Sequence, residues 1–276
     1  MVDRVCISIN NQCNLACEYC HFREKDNSIK PAEMNVFLIL DNIRKYINAN
    51  SIEVFKIGFV GNGEPLLDYE LLKQYIEHID DLIQLGVIRP YTITNGLLLD
   101  REKLLFFKNH NTNVGISIDG PRNLHNKYRC DSFDEVMTSI ELYKEIFNEY
   151  PSMNCTIGSE SIDNFNSIID FFKRFDNRVT FSRRIGRNGI SLDSFRLFLE
   201  KASQELNVRT GGYDCTMYGG LCGAGMNNYF YANGRIFLCG NCVDLESLPY
   251  DTPISDVDFE IASFDRSKCY KESFAK

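Results

Sequence analysis

Short apolar runs alternate with longer amphipathic runs along most of the chain. The short runs are typical of buried strands, whereas apolar residues spaced three or four apart predict helices. The predicted strands are Arg4–Ile9, Ile52–Val60, Tyr91–Thr94, Asn113–Ile118, Met153–Ile157 and Arg178–Phe181. The predicted helices are Pro31–Ala49, Leu67–Leu85, Arg101–Asn109, Ser132–Asn148, Ile162–Phe175 and Leu192–Leu206. Because parallel strands are joined by right-handed crossovers, this order predicts an α/β fold, a partial TIM-like barrel of six β/α units.

The pattern changes from about Thr210 onward, where glycine-rich loops replace the amphipathic helices. Two short apolar runs, Asn228–Ala232 and Arg235–Leu238, flank the dipeptide Asn233-Gly234. Asn-Gly between two such runs predicts a β-hairpin with a tight turn. We therefore predict a barrel over residues 1–208 and a small C-terminal hairpin domain over residues 209–276.

Composition and charge narrow the functional classes. The 276 residues are 44% hydrophobic and 25% charged, which is typical of a soluble globular protein. A net charge of −8 makes nucleic-acid binding an unfavourable prediction. The sequence shows no signal-peptide pattern and no apolar run of about 18 residues, so we expect a cytoplasmic protein without a membrane span. Five arginines crowd into one stretch, where we expect a solvated face or a rim that attracts an acidic substrate: Arg174, Arg178, Arg183, Arg184 and Arg187.

Eleven cysteines are unusual for a cytoplasmic chain. The cytosol keeps thiols reduced, so clustered cysteines point to metal binding or catalysis rather than to disulfides. One group, Cys13, Cys17 and Cys20, follows the first predicted strand. A second group occupies the last quarter of the chain and consists of Cys215, Cys222, Cys239, Cys242 and Cys269. The isolated Cys6, Cys130 and Cys155 are expected to be small buried apolar residues.

The first group has the spacing C-x3-C-x2-C. Three thiolates on one short loop can hold three corners of a cube-shaped iron–sulfur cluster and leave the fourth iron open to a small molecule. A structural zinc site or a fully ligated ferredoxin-type cluster would need a fourth ligand. His21 is close enough in sequence to supply one to zinc, so that alternative remains open.

This run, with the aromatic Tyr19 before its last cysteine, resembles the signature of the radical S-adenosylmethionine (SAM) superfamily. The resemblance implies that the open iron binds the amino and carboxylate groups of SAM. It also implies that one-electron reduction cleaves SAM to methionine and a 5′-deoxyadenosyl radical.

The resemblance implies a SAM site at the carboxyl ends of the following strands. Gly61-Asn-Gly63-Glu64-Pro65 resembles the family's glycine-glycine-glutamate motif, which meets the SAM ammonium group. Without the family, the same segment is consistent with a tight turn. Thr94 and Asn95 follow the third strand and are implied to lie near the same pocket.

The run Ser117–Arg129 resembles the corresponding segment of the SPASM/Twitch subgroup. By similarity, Ser117 contacts the ribose, Asp119 lies in the same pocket and Arg129 binds the SAM carboxylate. His125, in the same run, is equally consistent with a solvated loop residue.

The second cysteine group contains Cys222, eleven residues, Gly234, four residues and Cys239. A hairpin turn at Gly234 would bring Cys239 beside Cys222, so that both thiols face one metal site. The spacing resembles the start of a SPASM or Twitch auxiliary domain, and the resemblance implies a second [4Fe–4S] cluster. Cys215, Cys222, Cys239 and Cys269 match the ligand order of that family, although Cys242 is able to replace Cys215 or Cys269. A structural zinc remains an alternative.

Two enzyme classes are consistent with these features. The first is a maturase that modifies a ribosomally made peptide by forming a crosslink or a thioether, or by epimerising a residue. The second is a small-molecule dehydrogenase acting on an amino sugar or alcohol. An iron–sulfur electron carrier is a third, non-enzymatic class, disfavoured by the four strand-end motifs. Because the barrel begins at residue 4, peptide recognition is expected to need a partner or the barrel surface. Flavodoxin or ferredoxin is the expected electron donor.

Overall fold

The computed structural model describes residues 1–20, 33–209, 213–241, 246–261 and 263–274, and it leaves out the side chains of residues 213, 214 and 274. The strands are β1 Arg4–Ile7, β2 Phe55–Phe59, β3 Ile88–Thr94, β4 Asn113–Ser117, β5 Ser152–Ile157, β6 Val179–Arg183, β7 Tyr213–Asp214, β8 Leu221–Cys222, β9 Asn228–Ala232, β10 Arg235–Phe237 and β11 Ser247–Pro249. The helices are α1 Val36–Asn50, α2 Tyr69–His78, α3 Asp80–Gln84, α4 Arg101–Asn109, α5 Arg122–Tyr128, α6 Phe133–Phe147, α7 Ser159–Asp163, α8 Phe165–Phe172, α9 Leu192–Ser203 and α10 Tyr270–Phe274.

One large sheet contains nine of these strands, in the order β11-β10-β9-β1-β2-β3-β4-β5-β6. Strands β1 to β6 are parallel neighbours in sequence order, joined by helical crossovers. This is the predicted partial barrel of six β/α units. The prediction of the fold class is confirmed.

The two faces of the sheet differ in polarity. Side chains at alternate positions, such as Val5 and Ile7 of β1, are fully buried in the core beneath the helices. The intervening positions form the concave face of the barrel. Tyr91 crosses this face above Gly58, where a Cβ atom would lie 2.4 Å from the Tyr91 Cζ atom. Glycine at position 58 therefore makes room for the tyrosine ring.

The predicted helices differ from the observed ones mainly at their ends. Helix α1 begins at Val36 because the Asn35 side chain caps it, accepting a 3.2 Å hydrogen bond from the Leu38 amide; the predicted start, Pro31, lies outside the described residues. The predicted helix 67–85 is interrupted at Ile79, and the predicted helix 162–175 is divided at Asn164. The short helix α5 was not predicted, since seven mostly polar residues carry little periodicity.

The predicted hairpin is present, and Asn233 and Gly234 both have positive φ, 51° and 74°. Its position was not predicted. Strand β9 pairs in parallel with β1, so the hairpin continues the barrel sheet, and the Asn11 side-chain amide donates a 2.7 Å hydrogen bond to the Asn233 side chain. The domain boundary at residue 208 stays a prediction.

The arginine-rich stretch does not form one solvated face, which corrects the expectation from the sequence. Strand β6 runs through it and separates its members. Arg178 is exposed just before the strand, whereas Arg183 and Arg184 at its other end are each only 5% exposed. Within the described residues, no helix has the length and apolar character needed to cross a membrane.

Candidate functional site

The loop that follows β1 packs directly against the segment that follows β2. A Cβ atom at Gly63 would lie 2.0 Å from the Asn10 Oδ1 atom and 2.2 Å from the Gln12 carbonyl oxygen, so glycine alone permits this approach. The Glu64 amide donates a 2.7 Å hydrogen bond to the Gln12 carbonyl. The Asn10 side chain donates a 3.0 Å bond to the Glu64 carbonyl. Together these contacts hold the cysteine loop over the carboxyl end of β2.

The Glu64 carboxylate joins this loop to the next strand. It is 2% exposed and accepts hydrogen bonds from the Thr94 hydroxyl (2.6 Å), the Asn95 amide (2.8 Å) and the Leu66 amide (3.1 Å). Burial raises the pKa of Glu64, although these three donors act in the opposite direction. Glu64 therefore ties the carboxyl ends of β2 and β3 together.

Cys13 receives hydrogen-bond donors from both sides. The Leu15 amide lies 3.4 Å from the Cys13 sulfur and the Asn95 side-chain amide lies 3.9 Å from it. The same Asn95 amide group donates a 2.7 Å bond to the Asn14 side chain. Burial raises the pKa of the Cys13 thiol, and these two donors oppose the rise because they stabilise the thiolate, the form in which cysteine binds metal.

The three thiols of this loop are close enough to influence one another. Burial raises the pKa of Cys17 to about 11, and the negative charges of Cys20 and Cys13 add to this effect. The positive charge of Arg129 opposes it. The structure thus brings Cys13, Cys17 and Cys20 together and places a cation beside them.

Asp119 is the centre of a second network at the carboxyl end of β4. It is 3% exposed, and one carboxylate oxygen accepts hydrogen bonds from the Tyr19 hydroxyl and from the Arg129 Nε atom, the latter at 2.8 Å. Its other oxygen accepts a 2.9 Å bond from the Thr156 amide. Both oxygens are therefore bound to protein, and Asp119 fixes Tyr19 and Arg129 relative to the cysteine loop.

His125 supports the backbone of this network. It is fully buried, its Nδ1 atom lies 3.3 Å from the Asp119 amide, and its Nε2 atom lies 3.1 Å from the Ser132 hydroxyl. Burial lowers the pKa of His125 to about 4. The expectation of a solvated loop residue is wrong here, because the short helix α5 turns the side chain into the core.

The remaining predicted residues lie at the same edge of the sheet. Ser117 is the half-buried last residue of β4, and Gly61 lies just after β2. The sequence did not indicate Arg184, whose guanidinium lies 5.6 Å from the ring centre of Tyr19 and 5.5 Å from that of Tyr128. The only available signal was its place in the arginine-rich stretch, directly after a strand.

The second cysteine group also comes together. Burial raises the pKa of Cys215 to about 12, and the charges of Cys239, Cys269 and Cys222 add to the rise. The Met217 amide lies 3.4 Å from the Cys215 sulfur. Cys242 lies outside the described residues.

Backbone donors also surround Cys222. The amides of Ala224 and Tyr270 hydrogen-bond its sulfur, and burial nevertheless raises the pKa of Cys222. Cys222 and Cys269 are only 6% and 7% exposed. This group is therefore less accessible than the first, in which Cys13 is exposed.

The two groups lie toward opposite ends of β1. The first follows the carboxyl end of that strand. In the hairpin, Phe237 of β10 pairs with Phe230 of β9, and Phe230 pairs with Cys6 of β1. Strand β10 runs antiparallel to β1. The two residues from Phe237 to Cys239 therefore lead toward the amino end of β1. Cys6 lies between the groups on the concave face, with its sulfur 3.3 Å from the Tyr91 hydroxyl.

The isolated cysteines occupy three different environments. Cys155 is 1% exposed in the core, as expected. Cys130 is exposed, so the expectation of a buried residue is wrong there. Cys6 is partly accessible from the concave face.

Part of the chain matches a known protein family. Residues 7–172 match the sequence profile of the radical SAM superfamily. The chain belongs to the radical SAM superfamily. Membership implies SAM and one [4Fe–4S] cluster as cofactors. The first group fits both cofactors: it has three neighbouring thiols, a close packing of its loop at Gly63 and hydrogen-bond donors directed at the Cys13 sulfur.

Among curated proteins, a serine-type anaerobic sulfatase-maturating enzyme of Bacteroides thetaiotaomicron is 35% identical over 239 residues, covering 75% of this chain and 54% of that protein. The chain thus spans about half the length of this relative.

Two solved structures share the fold. Native anSMEcpe with bound AdoMet superposes with a TM-score of 0.70 at 19% identity, over 92% of this chain and 79% of that one. Streptococcus suis SuiB bound to the precursor peptide SuiA gives 0.69 at 17% identity, over 93% of this chain and 64% of that one.

Proposed function

We propose that this chain is a peptide-modifying radical SAM enzyme with two [4Fe–4S] clusters. Cys13, Cys17 and Cys20 hold the first cluster, and Cys215, Cys222, Cys239 and Cys269 hold an auxiliary one. The observation that carries the proposal is the assembly of two separate thiol groups toward opposite ends of β1, on either side of one concave face.

At the first group, the chain's own residues orient the cofactor. The backbone of residues 61–63, held against the cysteine loop by the close approach at Gly63, would meet the SAM amino group. Arg129, held by Asp119, supplies a cation for the SAM carboxylate, and Ser117 meets the ribose. With SAM bound, a cluster reduced by one electron from the donor protein would supply that electron to SAM, which would yield methionine and a 5′-deoxyadenosyl radical able to remove a hydrogen atom from the substrate.

At the second group, four cysteines would supply one thiolate to each iron of a cube-shaped cluster. Four thiols complete such a cluster without an open iron. A structural zinc would use the same four thiolates, and iron and zinc analysis distinguishes the two.

The names of the relatives support a peptide substrate. The curated relative is a sulfatase-maturating enzyme, and the SuiB structure contains a precursor peptide. We infer the same substrate class here and expect the enzyme to work in the cytoplasm. Flavodoxin or ferredoxin is the expected source of electrons.

The test is anaerobic reconstitution with iron and sulfide, followed by dithionite and SAM. We expect about eight irons per chain and 5′-deoxyadenosine, since each cluster holds four irons. Cys17→Ala is expected to lose about four irons and all deoxyadenosine formation. Cys222→Ala is expected to lose the other four and to keep deoxyadenosine formation with the first cluster.

The exposed Cys130 provides the matched control. Cys130→Ala is expected to keep about eight irons and full SAM cleavage. Coupled liquid chromatography and mass spectrometry of peptides incubated with the enzyme then identifies the modified residue. About four irons in the unchanged chain would refute the auxiliary cluster, and absence of deoxyadenosine would refute the radical mechanism.

A further inference from the structure

Three cations lie side by side at the amino ends of neighbouring strands. Arg4 of β1 is in register with Lys56 of β2, which is in register with Arg89 of β3. Adjacent strands are about 4.8 Å apart, and like charges in such directly opposed positions are destabilising. Lys56 and Arg89 are nevertheless exposed, so their like charges face solvent, where an anionic partner would offset the repulsion.

Two more cations extend this group toward β6. The Arg209 amide donates a 2.9 Å hydrogen bond to the Val179 carbonyl, which places Arg209 beside the exposed Arg178. Partial burial lowers the pKa of Lys56, and the positive charges of Arg4, Arg209 and Arg89 lower it further, whereas the negative charge of Asp3 raises it. We call these five residues, Arg4, Lys56, Arg89, Arg178 and Arg209, the basic row. It gathers five cations at one mouth of a chain whose net charge is −8.

The basic row adjoins the second cysteine group. After Phe237 the hairpin continues toward the level of Arg4, and Cys239 is two residues further along. Arg4, Arg209 and Cys239 all lie close enough to Cys6 for their charges to act on its thiol. A protein bound at this mouth would therefore lie next to the proposed auxiliary cluster.

We propose that the basic row is the docking surface for an acidic electron-carrier protein of the flavodoxin or ferredoxin class. The inference rests on the proposed auxiliary cluster and names the partner that exchanges one electron with it. No bond changes: one centre loses the electron and the other gains it.

The placement of the charges favours a folded partner. The exposed members, Lys56, Arg89 and Arg178, span the barrel mouth from β2 to β6, which fits the acidic face of a protein better than a single small anion. Charge complementarity of this kind accelerates association and fixes the orientation of the partner.

The experiment measures binding of oxidised flavodoxin to the reconstituted enzyme at low ionic strength, in the unchanged chain and in the triple variant Lys56→Glu, Arg89→Glu, Arg178→Glu. We expect the triple variant to bind roughly 10- to 100-fold more weakly. Added salt should reduce the difference because it screens exposed charges. Lys45→Glu, an exposed cation on α1, is the control and should bind as the unchanged chain does.

Two further measurements, iron content and reduction by dithionite, make the result decisive. Iron content and reduction by dithionite should be equal in all variants, since dithionite needs no docking surface. Unchanged flavodoxin binding in the triple variant would overturn the proposal, as would an equal loss of binding in Lys45→Glu. About four irons in the unchanged chain would refute the auxiliary cluster separately, because the flavodoxin affinity is measured independently of it.

Discussion

The two cysteine groups are held in different ways. Around the first, side chains from three strand ends form ion pairs and hydrogen bonds, with Glu64 and Asp119 as the buried centres. Around the second, backbone amides contact the sulfurs of Cys215 and Cys222. The first group keeps Cys13 exposed, whereas Cys222 and Cys269 are buried. Backbone amides contact sulfurs in both groups, and the more open first group has in addition the buried side-chain networks of Glu64 and Asp119, which keep it rigid while Cys13 stays exposed.

The largest expected effect comes from removing the cation of the first network. Arg129→Met leaves the carboxylate of Asp119 buried without its ion-pair partner, which we expect to lower the free energy of unfolding by about 3–5 kcal/mol. Urea denaturation measures this loss. Iron analysis should show that the first cluster is lost and the second retained. Loss of both clusters together would contradict the view that each cysteine group is held independently by its own surroundings.

The control for that variant is Arg122→Met. Arg122 lies on the same helix as His125 and pairs with Asp134 on the surface. We expect little change in stability or iron content, because exposed ion pairs contribute little.

The second prediction concerns pH. His125 has a pKa near 4 in the folded chain against 6.5 without burial, so it stays neutral when folded and gains a proton on unfolding below pH 6.5. Its contribution to stability is complete above that pH and falls as the pH drops toward 4, by roughly 3 kcal/mol in total.

Denaturation curves between pH 7 and pH 4 test this loss against His125→Gln, which keeps an amide in place of the imidazole and cannot titrate. The variant should lose less stability over the same range. An identical slope would show that His125 does not govern the acid sensitivity of the first network.

The smallest expected effect is steric. In Gly63→Ala the new Cβ atom meets the Asn10 side chain and the Gln12 backbone, so the cysteine loop must shift, at a cost of about 1–3 kcal/mol. SAM affinity, measured by equilibrium binding to the reconstituted enzyme, should fall.

Gly240→Ala, beside the second group, sharpens the comparison. Its Cβ atom would lie 3.6 Å from the Phe230 ring, an ordinary contact. We expect unchanged SAM affinity, and a loss equal to that of Gly63→Ala would mean that the tight approach at Gly63 has no special role.

The sequence predicted the strands well because each is a short apolar run closed by polar residues. The strand-end motifs followed from this, since Glu64, Thr94 and Asp119 come directly after such runs. The Asn233-Gly234 turn was also readable, because it needs two residues with positive φ.

Contacts between distant segments were not readable. Nothing near residue 228 indicates that β9 pairs with β1, because parallel pairing leaves no local signal. The bond from Tyr19 to Asp119 and the register of Arg4 with Lys56 are likewise products of the tertiary fold. Each residue could be identified, but its partner could not.

The pairing of β1 with β9 also has a consequence for biosynthesis. Residues 4–7 leave the ribosome well before residues 228–231 of β9, with which they pair, have been made. Until then that edge of β1, next to three reactive thiols, lacks its partner, and such long-range pairing forms slowly. Iron loading of the first loop should therefore follow completion of the sheet, because that loop also contacts the late hairpin through the hydrogen bond from Asn11 to Asn233.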